Sequence, residues 1–250
     1  MDKFIIVIPH KYTASKNILD NLKKLNIPKN AEIFETEEES IYNEDIDKKI
    51  KGDYYIFATR HQSQSKTPSL CVHAPGNFND NSLGGKEKEL NVSMPSFMKT
   101  ALNFLEKHKL KDFEIEIEAT HHGPFLKKPV MFIEIGSSEK EWKDEKAGEI
   151  IAKAILEIVN NKNRFKSCIV LGGGHYNKVA RKLMLNSEFA VGHICPKHSL
   201  EFLNEEMLKQ MIKRNDDNID FAVLDWKGMG KEKNRVVSLL NEMNLRFIKG

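Results

Sequence analysis

The feature that most constrains this chain is the alternation in its second half. Short apolar runs at 167–171, 189–194, 221–224 and 246–248 are separated by stretches with apolar residues at helical spacing, at 177–185, 200–214 and 231–243. Short apolar runs bounded by turn residues read as strands buried on both faces. Strands joined by helices form right-handed crossovers and hence a parallel sheet flanked by helices. Neither an all-β sandwich nor a helical bundle accommodates this order.

The first half adds strands at 3–9, 31–36, 53–59 and 68–72. A helix begins at Thr13 or Ser15 and places Ile18, Leu19, Leu22 and Leu25 on one face. A second, at 96–107, carries Phe97, Ala101, Phe104 and Leu105, and the longest is expected over 139–159. Residues 37–47 form an acidic surface segment, 61–65 a polar link, and 74–92 a long loop with Pro75-Gly76-Asn77 and Gly84-Gly85. Residues 114–120 alternate charged and apolar side chains, the pattern of a half-exposed strand. With 130–135 they are expected to form an antiparallel pair. The expected class is α/β with a mixed, largely parallel sheet and flanking helices, read as one domain over 1–250; the sequence does not resolve a subdomain division.

Seven of the nine histidines lie just past these strands: His10, His61, His73, His121, His122, His175 and His193. In open α/β sheets ligands bind beyond the carboxyl ends of the strands, where loops gather side chains from distant segments. Imidazole is the commonest metal ligand and the usual acid or base near neutral pH. The pattern points to an enzyme with a histidine-lined cleft that could hold a metal.

The bulk properties exclude several classes. Net charge is +3, from 39 basic and 36 acidic residues, so nucleic-acid binding would need a local basic patch. Lys107–Lys109–Lys111, Lys127–Lys128 and Lys178–Arg181–Lys182 are candidates, with solvated surface as the ordinary alternative. Cys71, Cys168 and Cys195 form no C-x-x-C and sit in or beside apolar runs, which suits reduced buried thiols and a cytoplasmic protein. The opening residues read as a strand rather than a secretion signal. No apolar run approaches the roughly 18 residues of a spanning helix.

Thr120-His121-His122-Gly123-Pro124 is the sharpest cluster. Adjacent strand residues point to opposite faces, so both imidazoles share a site only if the strand has ended, as Gly-Pro suggests. One would then ligate a metal or act as base while the other orients substrate; the alternative is a satisfied structural histidine. Gly172-Gly173-Gly174-His175-Tyr176 leaves a strand and enters a helix, a place where backbone can approach a ligand. It lacks the third spaced glycine of the dinucleotide fingerprint. Cys195-Pro196-Lys197-His198 is a possible zinc half-site without a partner half. Glu134, a carboxylate in an apolar strand, could support a histidine or hold a substrate ammonium. H-E-x-x-H and G-x-S-x-G are both absent, which counts against a zincin peptidase and a serine hydrolase.

Together these segments resemble the archaeal- and plant-type D-aminoacyl-tRNA deacylases. The likeness rests on Arg60-His61, Val72-His73-Ala74-Pro75-Gly76-Asn77-Phe78, Glu118-Ala119-Thr120-His121-His122-Gly123-Pro124, and Phe132-Ile133-Glu134-Ile135-Gly136-Ser137 with Trp142. It continues through Gly173-Gly174-His175-Tyr176, Gly192-His193-Ile194 with Pro196-Lys197, and Asp225 with Lys227-Gly228. Asn177-Lys178 stand where the family commonly has Ala-Pro, and His198 where it has Tyr. The resemblance implies hydrolysis of the ester between a D-amino acid and tRNA, zinc as cofactor at up to two ions per chain, and a fold related to peptidyl-tRNA hydrolases and nucleoside phosphorylases. Within that reading His121, His122, His175 and Glu134 are expected to be catalytic. Gly173, Gly174, Tyr176, Asn77 and Lys197 are expected to bind substrate, and His61, His73, His121 and His193 metal. The chain is expected to act as a monomer on charged tRNA, without a membrane. A zinc-dependent peptidase or amidohydrolase, or a non-catalytic nucleotide- or RNA-binding module, remain the alternatives from the residues alone.

Overall fold

The computed structural model describes residues 2–63 and 66–250. Its ten strands fall into two sheets. The first contains β1 (Phe4–Pro9), β2 (Ala31–Thr36), β3 (Tyr54–Arg60), β4 (Ser69–His73), β5 (Glu114–Ile117) and β6 (Val130–Gly136), in the order β2-β1-β3-β6-β4-β5. The second contains β7 (Lys166–Leu171), β8 (Phe189–Cys195), β9 (Ile219–Leu224) and β10 (Phe247–Lys249), in the order β10-β9-β7-β8. The helices are α1 (Thr13–Leu22), α2 (Ile46–Lys49), α3 (Pro95–Lys107), α4 (Glu139–Trp142), α5 (Glu145–Asn160), α6 (Lys178–Asn186), α7 (Glu205–Lys213) and α8 (Lys233–Glu242).

Strand position follows sequence character. The apolar run of β1 and that of β6, broken only by Glu134, are buried throughout and lie inside the first sheet. Glu114-Ile115-Glu116-Ile117 alternates because β5 is an edge strand with one face on the core. The second sheet is parallel throughout, as the alternation requires. The first is mixed, but its antiparallel pair is β4 with β6; β5 pairs parallel with β4 and never meets β6. The expected pairing of 114–120 with 130–135 is therefore corrected: β4 inserts between them.

Two boundaries also differ. The helix expected over 139–159 is broken into α4 and α5, because the Asp144 carboxylate accepts the Lys146 and Ala147 N–H groups at 2.9 and 3.1 Å and starts a new helix. The helix expected over 200–214 is a 3-10 segment at Lys197–Phe202 followed by α7, whose cap is Asn204. Of the polar link at 61–65, Gln64 and Ser65 lie outside the described residues.

The period of two divides the cores. Ile6, Ile8, Leu70, Val72, Ile115 and Ile117 face the layer of α1, α3 and α5, and the same cluster takes in Cys168, Val170, Val191 and Phe221 of the second sheet. Ile5, Val7, Phe57 and Phe132 face the opposite side of the first sheet, where no long helix packs among the described residues. Ile169, Leu171, Ala222 and Leu224 face Met207, Met211 and Leu240 of α7 and α8. No helix among the described residues is long and apolar enough to cross a membrane.

Candidate active site

The histidines gather on the face of the first sheet that the long helices leave free. Alternation explains which side chains arrive there. Phe132 and Glu134 sit two apart on β6, and antiparallel pairing sets His73 against Phe132 and Cys71 against Glu134. The His73 ring stacks on Phe132, which stacks on Phe57. Ile115 and Ile117 point to the helical layer, so Glu118, next in that alternation, points into the site. The site thus lies over this face as well as past the strand ends, because β4 and β5 run opposite to β6 and the strands beyond it.

Other segments close in from three sides. His61 follows β3, and its Nδ1 lies 3.0 Å from Glu118 Oε1 and 3.7 Å from Glu134 Oε2. The loop after β7 docks along the end of β5. Ala119 N–H donates to the His175 carbonyl at 2.7 Å and Asn177 N–H to the Ile117 carbonyl at 3.0 Å. This carries His175 across from the second sheet and sets its Nε2 3.0 Å from Glu118 Oε2. His121 and His122 follow β5, with His122 in the left-handed region at φ 46°. That turn lets neighbouring imidazoles share a site. Gly123 behind them is squeezed: a Cβ there would lie 2.2 Å from Gly85 N and 2.6 Å from the Ile41 carbonyl oxygen.

The ring nitrogens are arranged for a cation. His121 Nδ1 donates to the Ala119 carbonyl at 2.8 Å and His122 Nδ1 to the Gly123 carbonyl at 2.5 Å. Each ring is thereby held in the tautomer whose Nε2 carries a lone pair. His122 Nε2 lies 3.3 Å from His73 Nε2. His73 Nδ1 is buried and has no hydrogen-bond partner among the described residues, and Glu118 Oε1, also buried, meets only the His61 ring. Ligand atoms of His73, His121 and His122 lie within 4.8 Å of one another, as do those of Glu118, His121 and His175, of His61, Cys71 and Glu118, and of His73, Glu118 and Glu134. Imidazole nitrogens oriented by backbone carbonyls beside buried carboxylates fit a divalent cation.

Electrostatics separate the groups. Burial opposes charge on His61, but Glu118 and Glu134 outweigh it and push its pKa up to about 10. Burial also opposes charge on Glu118, yet His175 and His61 hold it well below the carboxylate range. Glu134 is pushed up to about 7 by burial and by Glu118, against the pull of His61. Burial lowers His73 and His121 well below the usual imidazole value, and His122 to about 4. Neutral imidazoles are the form in which histidine ligates a metal.

His61, His121, His122, His175 and Glu134 line an open cavity of about 680 Å³ with Tyr12, Arg60 and Leu83, while His73 lies beneath it. The Tyr176 hydroxyl is 2.6 Å from His61 Nε2, so this expected substrate contact stands behind a ring of the cluster. Other expectations are not met together. His193 is fully buried and away from the cluster: its Nε2 lies 2.9 Å from the Arg214 carbonyl and 3.1 Å from that of Asn91, and its Nδ1 3.2 Å from the Thr120 hydroxyl. Both ring nitrogens are engaged, which leaves none for a metal. The Asn77 side chain donates to the Gly84 and Lys86 carbonyls at 2.8 and 3.2 Å and braces the long loop. Gly173, Gly174 and Lys197 line a separate, larger cavity of about 760 Å³ with Asp225, Lys227 and Gly228. His10 is also apart, beside Glu35. Cys195 is buried and His198 exposed, so the possible half-site does not assemble. All three cysteines are free and buried. The residue given no role of its own on the residues alone is Glu118; its signal was its place as third glutamate in the alternating strand.

Comparison with known proteins adds the family. The family profile described as D-aminoacyl-tRNA deacylase matches residues 48–248. The chain is 40% identical over 227 residues to the D-aminoacyl-tRNA deacylase of Pyrococcus furiosus, covering 87% of this chain and 83% of that protein. It is 36% identical to that of Methanocaldococcus jannaschii, covering 98% of both. A crystal structure of a conserved protein of unknown function superposes with a TM-score of 0.92 at 29% identity, covering 99% of this chain and 95% of that one. On this match across most of its length, the chain belongs to the D-aminoacyl-tRNA deacylase family.

Proposed function

We propose that this protein hydrolyses the ester linking a D-amino acid to the terminal adenosine of tRNA, with zinc held in the histidine cluster at up to two ions per chain. Family membership supports the reaction. One observation supports the metal: His121 and His122 each tie Nδ1 to a backbone carbonyl and turn Nε2 inward toward His73. Nitrogen and carboxylate donors in this number suit zinc better than magnesium or calcium, which prefer all-oxygen shells.

His73, His121 and His122 would hold one ion. Glu118 with His121, His175 or His61 offers overlapping donors for a second. When bound, such an ion supplies Lewis acidity for the ester carbonyl and for the attacking water. The chain's own groups do the rest. Glu134, on the cavity floor, stands where it can take a proton from that water, and His175, on the rim, where it can return one to the departing ribose oxygen. The Tyr176 hydroxyl fixes the His61 ring against Glu118. The larger cavity lined by Gly173, Gly174 and Lys197 would take other parts of the tRNA. The protein is read as a cytoplasmic monomer, which light scattering of the purified chain would check.

The deciding experiment compares release of amino acid from D-Tyr-tRNA and L-Tyr-tRNA by metal-replete protein, then after chelation and zinc addition. Hydrolysis of the D-ester alone, lost on chelation and restored by zinc, is expected. Equal hydrolysis of both esters, or of neither, overturns the substrate assignment. Full activity without metal overturns the zinc assignment, and turnover of peptides without tRNA would favour an amidohydrolase.

A further inference from the structure

The hydrolytic reading leaves two cations of the histidine cavity without a task, the exposed Lys66 and Arg60, and Arg60 is the one held against aromatic rings. Arg60 is the last residue of β3 and lines the cavity beside His61. Its guanidinium carbon lies 4.3 Å from the centre of the Tyr12 ring and 5.0 Å from that of Trp142. Both rings are anchored. Trp142 Nε1 donates to the His61 carbonyl at 3.0 Å, and the Tyr12 hydroxyl donates to Glu39 at 3.2 Å. Glu39 and Glu139 feel the Arg60 charge, but each makes its close pair with a lysine: Glu39 lies 2.5 Å from Lys11 Nζ and Glu139 3.1 Å from Lys143 Nζ. Arg60 itself has no ion pair or side-chain hydrogen bond among the described residues.

A guanidinium held by contact with aromatic rings keeps its N–H donors for an acceptor. Its planar fork matches phosphate and carboxylate oxygens in pairs. A cation fixed this way at a cavity mouth has lost side-chain freedom before any ligand arrives, so less entropy is lost on binding. Leu83, 55% exposed, gives the same mouth an apolar surface against which a base can rest.

We propose that Arg60 binds the 5′-phosphate of the nucleotide whose ribose carries the ester, so that the cavity recognises a nucleotide and not only an acyl group. This rests on the hydrolytic reading above, and the test separates the two. The probes are 2′(3′)-O-D-tyrosyl adenosine and the same compound bearing a 5′-phosphate, which differ by one phosphate. With zinc-loaded parent protein, kcat/KM is expected to be on the order of tenfold higher for the phosphorylated ester, the worth of one charge-assisted contact. Arg60→Gln should bring that ratio to about one, mainly through KM, and Arg60→Lys should restore part of it. Circular dichroism confirms that the variants are folded. A parent ratio of one, or an unchanged ratio in Arg60→Gln, overturns the proposal. If the parent hydrolyses neither ester, release from D-Tyr-tRNA tests the hydrolytic reading separately, and calorimetry with adenosine 5′-monophosphate and adenosine decides the role of Arg60. Tighter binding of the monophosphate, on the order of tenfold and lost in Arg60→Gln, supports it. Equal affinities overturn it.

Discussion

His73 Nε2 and His122 Nε2 face each other across 3.3 Å, although the residues are 49 positions apart. The Gly123 carbonyl occupies the other nitrogen of His122, so its inward nitrogen is an acceptor. Loss of that nitrogen should remove a ligand without unfolding the chain. His121→Ala and His122→Ala are expected to lower kcat by at least about 10²-fold, with zinc content reduced and circular dichroism unchanged. Near-parental kcat in both would make the Thr-His-His-Gly-Pro segment structural and move the catalytic assignment to His175.

Glu118 binds the cluster into one unit, with His175 at 3.0 Å on one oxygen and His61 at 3.0 Å from the other. Glu118→Gln keeps the shape and removes the charge. Zinc affinity is expected to fall about 10- to 100-fold, as for other groups that orient ligands. Competition with a chromophoric chelator measures this. Glu114→Gln, at the exposed end of the same strand, should leave affinity unchanged.

His193 predicts a pH effect on stability rather than on chemistry. Burial lowers its pKa to about 4, so the folded chain keeps the ring neutral while the unfolded chain protonates it near 6.5. The contribution is fully present above about 6.5 and is lost as the pH falls toward 4, about 3 kcal/mol across that window. Urea unfolding at pH 7.5 and 4.5 should show a larger loss in the parent than in His193→Gln. An equal loss in both would show that another group titrates.

Gly123→Ala tests the packing behind the histidines. The added methyl would meet Gly85 N and the Ile41 carbonyl, both backbone, which cannot swing aside. A melting temperature lowered by several degrees is expected, from overpacking of about 1–3 kcal/mol, together with reduced zinc content. Parental values of both would mean that this loop moves freely.

The sequence alone determined the alternation of strands and helices, and with it the α/β class and the parallel second sheet. Strand and helix periods are local properties of neighbouring side chains, so they survive without knowledge of the fold. It also named most of the side chains that converge in the candidate site: His61, His73, His121, His122 and His175 from the strand-end pattern, and Glu134 as a carboxylate in an apolar strand. Only the tertiary structure decided that β4 lies between β5 and β6, antiparallel to β6 and parallel to β5, which put the site on a sheet face and brought Glu118 into it. Strand partners far apart in sequence leave no local signal. The same limit separates His193 from the other histidines. All follow apolar runs and look alike in sequence, but the Thr120 hydroxyl and the carbonyls of Asn91 and Arg214 reach His193 from segments up to 102 positions away and engage both its nitrogens.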